Sequence, residues 1–78
     1  MEKINTRIKG VMAAVFEMPV EMITDDASTD NIEVWDSLRH MNLILALEEE
    51  FEITLPDEEV GNLVNFKIVS LTVHEQQK

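Results

Sequence analysis

Ser37-Leu38-Arg39-His40-Met41-Asn42-Leu43-Ile44-Leu45-Ala46-Leu47-Glu48-Glu49-Glu50, residues 37–50, is the strongest periodic stretch of the chain. Leu38, Met41, Leu45 and Glu48 fall on one helical line, and Leu43, Ile44 and Leu47 widen it to a broad apolar face. Asp36 or Ser37 can cap the start, since either offers an oxygen to the unpaired backbone N–H groups of a first turn. The acidic run Glu48-Glu49-Glu50 sits at the end where the helix dipole disfavours negative charge. That is a small local cost, so the acidity serves something other than helix stability.

Upstream, Ile4, Ile8, Val11, Met12, Val15 and Phe16 form a second helical stripe, with Lys3, Arg7 and Lys9 off it. Pro19 marks its end, because the residue before a proline avoids helical geometry. Residues 20–36 break the pattern with an acidic, turn-rich segment that is long for a connection in a small domain. Met22, Ile23, Ile32 and Trp35 are the apolar anchors expected to pin it. Downstream, Pro56-Asp57-Glu58-Glu59 reads as the start of a short helix, with proline just inside it and Gly61 at its end. Asn65 can cap a last segment carrying Phe66, Val69, Ser70 and Val73 at helical spacing. Ile68, Val69, Leu71 and Val73 also fit strand alternation, but a lone strand would have no partner, so helix is preferred. The expectation is an all-α fold of four helices, the third short, in a single domain over 1–78.

Composition narrows the function. The chain has 78 residues with 16 acidic and 6 basic side chains, a net charge of −10. That surface repels phosphate backbones and anionic lipid, which argues against nucleic-acid and membrane-surface binding and for partners with basic patches. The absence of cysteine excludes disulfides, thiolate zinc sites and thiol nucleophiles. No apolar run approaches the roughly 20 residues of a membrane span, and the start lacks the order of a signal peptide. A small, monomeric, acidic cytoplasmic domain is expected.

Three constellations could carry chemistry. An EF-hand frame begun at Asp26 puts Asn31 at position 6 and Ser37 at 12, and one begun at Asp25 puts Ala27 at 3 and Asp36 at 12; neither supplies the ligands calcium needs, and no metal site is expected. Asp36, Ser37 and His40 invite a nucleophilic reading, but a triad also needs an oxyanion hole and a dry pocket, for which so short a helical chain has little material. No catalytic residue is assigned, and His40 reads as an exposed helix residue. Ser37 has a better use: at a helix start after a long loop its hydroxyl projects to solvent, where the positive end of the helix favours an attached phosphate. Taken alone, those residues fit a modification site or a simple N-cap serine.

Trp35-Asp36-Ser37-Leu38, followed by Leu45-Ala46-Leu47-Glu48-Glu49-Glu50-Phe51 and Leu55-Pro56-Asp57-Glu58-Glu59, resembles the acyl carrier protein family over about residues 35–73. The resemblance implies an antiparallel four-helix bundle with a short third helix. It implies 4′-phosphopantetheine on Ser37, donated from coenzyme A by a phosphopantetheinyl transferase. The arm's thiol would hold an acyl or aminoacyl thioester, which a chain without cysteine must import. By the same resemblance Asp36, Leu38, Met41, Leu45, Glu48 and Glu49 face the basic docking patches of a loading ligase and of acyl-processing or acyl-transferring enzymes. Ile44, Leu47, Leu55, Leu63 and Val69 lie near the cavity the family can use for its acyl chain, although each also reads as ordinary core. Fatty acid, polyketide or related specialised biosynthesis is the implied setting. Trp35 stands where fatty-acid-synthesis carriers have a small residue, and Arg39, His40 and Asn42 make the front of the recognition helix less acidic. That similarity leans towards a carrier serving a dedicated ligase or a natural-product or polysaccharide pathway. The alternative is an unmodified acidic helical adaptor of the same fold.

Overall fold

The computed structural model describes residues 2–77. Four α-helices form: α1 Glu2–Phe16, α2 Ser37–Phe51, α3 Asp57–Val60 and α4 Phe66–Gln76, with a 3₁₀ turn at Val20–Met22. Within the described residues extended pairing is confined to one isolated bridge, Ser28 with Asn65. The all-α reading holds, and Ile68–Val73 is helix.

α1 and α2 run antiparallel. Arg7, early in α1, donates to the Glu50 carboxylate and carbonyl at the end of α2, while Arg39, early in α2, donates to the Val15 carbonyl near the end of α1. Between these ties Ile8, Met12 and Phe16 of α1 meet Leu43, Ile44, Leu47 and Phe51 of α2, all buried. Leu55, Leu63, Phe66, Val69 and Val73 complete the core from the C-terminal half. The first stripe sorts by depth: Ile8, Met12 and Phe16 are inside, while Ile4, Val11 and Val15 pack against its edge.

Three expectations need correction. The apolar positions of α2 do not form one broad face. Leu43, Ile44 and Leu47 are buried, whereas Leu38, Met41 and Leu45 are 71%, 52% and 61% exposed. Successive residues turn by about 100°, so Leu45 stands nearly opposite Leu43, and Leu38, seven residues before Leu45, shares its side. Met22 is no anchor: it ends the 3₁₀ turn at 62% exposure, while Ile23 is in the core as expected, at 2%. Ala27, at 1%, is an anchor that periodicity did not single out. Pro56 sits at the cap of α3, with extended backbone, instead of inside its first turn.

Both long helices close the same way. Glu17 and Glu52 adopt left-handed backbone with φ of 53° and 54°. Met18 N–H reaches back to the Ala13 carbonyl and Ile53 N–H to the Glu48 carbonyl, the six-to-one bond of a Schellman motif. Met18 and Ile53 then pack onto the core edge. Glycine usually occupies the left-handed position, because a Cβ there costs roughly 1–2 kcal/mol. Glu52→Gly should therefore raise stability by about 0.5–1 kcal/mol, also removing a carboxylate from the negative end of α2. In thermal melts this corresponds to a rise of about 2–8 °C. Glu17→Gly should gain less, since Glu17 lies 3.4 Å from Arg39. A fall in melting temperature for Glu52→Gly would refute the strain argument.

The loop before α2 is held at several points. Thr29 N–H donates to the Val64 carbonyl and Phe66 N–H to the Ala27 carbonyl, clasping the loop to the start of α4. Asn31 braces it internally, accepting from Ser28 N–H and donating to the Asp26 carbonyl. The Thr24 hydroxyl donates to the exposed Asp26 carboxylate, which holds that group below the usual carboxylate range. A lowered folded value means the contribution is present at neutral pH and lost as the pH falls through it.

Candidate functional site

Ser37 is the first residue of α2, exposed, at the point where the pinned loop becomes helix. Its neighbour supplies the cap. Asp36 has extended backbone, its carboxylate accepts from Arg39 N–H at 2.9 Å, and its carbonyl accepts from His40 N–H at 2.8 Å. Of the two cap candidates Asp36 makes the bond, so the Ser37 hydroxyl takes no part in holding the helix end. A free hydroxyl on a fixed backbone is the geometry a modifying enzyme can reach.

Trp35 fixes the approach. It is 5% exposed, with its ring 5.2 Å from that of Phe16 at 40°, and its Nε1–H donates to His40 Nδ1 at 3.0 Å. His40 is half-buried, and its Nε2 lies 2.7 Å from the Val60 carbonyl. The expectation of an exposed His40 is thus overturned, since one turn into α2 the ring points at the loop and at α3. Arg39 is likewise engaged inside the chain, by the Val15 carbonyl at 3.3 Å and Glu17 at 3.4 Å. Its charge is met there and does not stand alone on the front of the helix.

The six residues expected to face partners divide. Asp36, Leu38, Met41, Leu45 and Glu49 are exposed. Glu48 is half-buried, and its carboxylate accepts from Leu55 N–H at 2.8 Å, closing the loop between α2 and α3. Glu48 is therefore tied up within the fold. The acyl-chain candidates Ile44, Leu47, Leu55, Leu63 and Val69 are all at or below 4% exposure, in the common core. Beside Ser37 lies a shallow groove of about 310 Å³, walled by Trp35, His40 and Met41 on one side and Gly61 and Val64 on the other. An exposed hydroxyl with an open, mostly apolar channel along its flank fits a long flexible prosthetic arm. The groove joins the loop, α2 and the segment that follows α3, and no periodicity in any one of them signals it. The bond between His40 and Val60 has no sequence signal for the same reason.

No helix among the described residues is long and apolar enough to cross a membrane, and they bring together no cluster of three or more His, Cys, Asp or Glu able to hold a metal ion.

Residues 6–65 match the family model described as the phosphopantetheine attachment site. The chain is 42% identical over 63 residues to the acyl carrier protein of Buchnera aphidicola subsp. Acyrthosiphon pisum strain Tuc7, covering 81% of this chain and 79% of that protein. The acyl carrier protein of strain 5A is similar to the same degree. Among solved structures, the solution NMR structure of a holo acyl carrier protein from Geobacter metallireducens superposes with a TM-score of 0.82 at 29% identity, covering 92% of this chain and 83% of that one.

Proposed function

The chain belongs to the acyl carrier protein family, whose members bear 4′-phosphopantetheine and present acyl groups to partner enzymes, and from that premise we propose that Ser37 is the hydroxyl that carries the arm. The observation that supports this most directly is the division of labour at the start of α2: Asp36 caps the helix and leaves Ser37 exposed and uncommitted. The arm supplies a thiol that holds the acyl or aminoacyl group as a thioester. The protein's part is to fix the attachment point, offer the positive end of α2 to the phosphodiester, and leave a channel along which the arm can lie or leave.

Docking belongs to the exposed line Leu38, Met41 and Leu45, with Asp36 at one end and Glu49 at the other. Opposite charge speeds encounter with a basic partner patch, and a few apolar contacts set the register. The partners in this reading are a phosphopantetheinyl transferase, a ligase that loads the acyl or aminoacyl group, and the enzymes that process or transfer it. Glu49→Lys should lower the transferase's kcat/KM about three- to tenfold at low salt, mainly through KM. Most of the difference should vanish at high ionic strength, where the Debye length shrinks to a few ångströms. Equal kinetics at low salt would remove Glu49 from the docking surface.

The direct test is an intact mass after incubation of the unmodified protein with coenzyme A and a broad-specificity transferase, followed by fragmentation to locate the addition. One phosphopantetheine on the peptide containing Ser37 supports the assignment. No addition across several transferases would favour an acidic adaptor that keeps the fold without the arm.

A further inference from the structure

His40 is held at both ring nitrogens by partners that leave no choice of proton. The Trp35 indole N–H can only donate, so Nδ1, 3.0 Å away, must present its lone pair. The Val60 carbonyl can only accept, so Nε2, at 2.7 Å, must carry the hydrogen. One neutral tautomer satisfies both bonds. The imidazolium cannot, because a proton on Nδ1 would face the indole N–H donor to donor.

The two partners lie on different segments. Trp35 lies next to the end of the long loop, Val60 is the last residue of α3, and His40 stands one turn after Ser37 on α2. Trp35 and His40 also wall the groove beside Ser37. One imidazole thus joins the loop and α2 beside the attachment hydroxyl to Val60, the residue before Gly61 in the opposite wall.

We propose that His40 is a positioning residue: its neutral ring locks Trp35 and the end of α3 around Ser37, and protonation of the ring releases the indole and loosens that wall of the groove. The functional half rests on the assignment of Ser37 as the attachment site. The charged groups on the surrounding elements fit a switch between two arrangements. In the loop, Asp36 lines the same groove, with its carboxylate engaged at Arg39 N–H. On α2, Arg39 is turned away to Val15 and Glu17. α3 carries Asp57, Glu58 and Glu59 and no base.

The apo chain is sufficient for the test. Trp35 is its one tryptophan and His74 its one other histidine, so both signals can be assigned without ambiguity. Nitrogen-15 spectra at neutral pH should show His40 as the Nε2–H tautomer. Lowering the pH until the His40 ring is charged, as read from its own nitrogen-15 shifts, should shift the Trp35 indole resonance. Over the same range indole protection should fall about tenfold relative to His40→Gln at each pH, the weight of one hydrogen bond. His40→Gln, which cannot titrate, should show a flat indole signal, with His74 still present as the control for general acid effects. Transferase KM should follow, its wild-type to variant ratio changing with pH while the kcat ratio stays constant.

An Nδ1–H tautomer, or the same indole pH profile in both proteins, would overturn the proposal. The tautomer reading uses the wild type alone, so it stands even if the variant folds poorly. Failure of these spectra leaves the Ser37 assignment intact, and failure to modify Ser37 leaves the spectral prediction intact.

Discussion

Ser37→Ala should abolish the gain of phosphopantetheine completely while changing stability by no more than about 0.5 kcal/mol. The two halves of this result come from separate atoms. Modification needs the Ser37 Oγ, and alanine has none. Stability of the first turn needs the Asp36 carboxylate on Arg39 N–H, which the substitution does not touch. Ser37 is exposed, so no buried surface is lost, and alanine is the best helix former at the position it takes. Asp36→Ala should do the opposite, lowering stability by about 0.5–2 kcal/mol through the lost cap while leaving a hydroxyl in place. Thermal melts beside intact masses check both. Modification surviving in Ser37→Ala would place the arm on another residue. A melting temperature that collapses in Ser37→Ala would mean the serine helps hold the helix end, against the observed cap.

Trp35→Ala should be the most destabilising single change outside the helices, costing about 3–5 kcal/mol. For a chain of this length total stability is of order 4–12 kcal/mol, so a large share would go. Trp35 is almost fully buried, its ring packs on Phe16, and its N–H is the partner of His40. Ile23, Ala27 and Ile32 also pin the loop, and Trp35 ties it to α1 through Phe16 and to α2 through His40. Truncation leaves a cavity beside Phe16 and an unpaired His40 Nδ1. Trp35→Phe separates the contributions, keeping most of the apolar contact and losing the donor, for about 1–3 kcal/mol. Urea denaturation followed by circular dichroism measures both. A loss below about 1 kcal/mol for Trp35→Ala would show that the loop is held elsewhere.

The remainder of the loop's order comes from backbone pairing that leaves little trace in residue type. Thr29 to Val64 and Phe66 to Ala27 are main-chain bonds, and almost any side chain would permit them. Asn31 and Asn65 are different, since their amide oxygens accept from backbone N–H groups at short range. Asn65 was recognisable as a cap for that reason.

Local information was enough for the elements and for singling out Ser37 as the candidate. The period of α1 and α2, the caps at Asp36 and Asn65 and the short acidic third helix are set by residues within a turn or two of one another, so the order of residues along the chain specifies them. Trp35-Asp36-Ser37-Leu38 with its downstream glutamates and Leu-Pro-Asp-Glu-Glu likewise points to the carrier family. Which side of α2 is buried, whether Met22 enters the core beside Ile23, and where His40, Arg39 and Glu48 spend their polar atoms were settled only by packing. Each of those outcomes depends on a partner seven to twenty-four residues away or on the fit of a side chain into shared space. Hydrophobic period reports that a helix has faces; the choice among them, and the pairing of every buried polar atom, is made when the segments close on one another and exclude water.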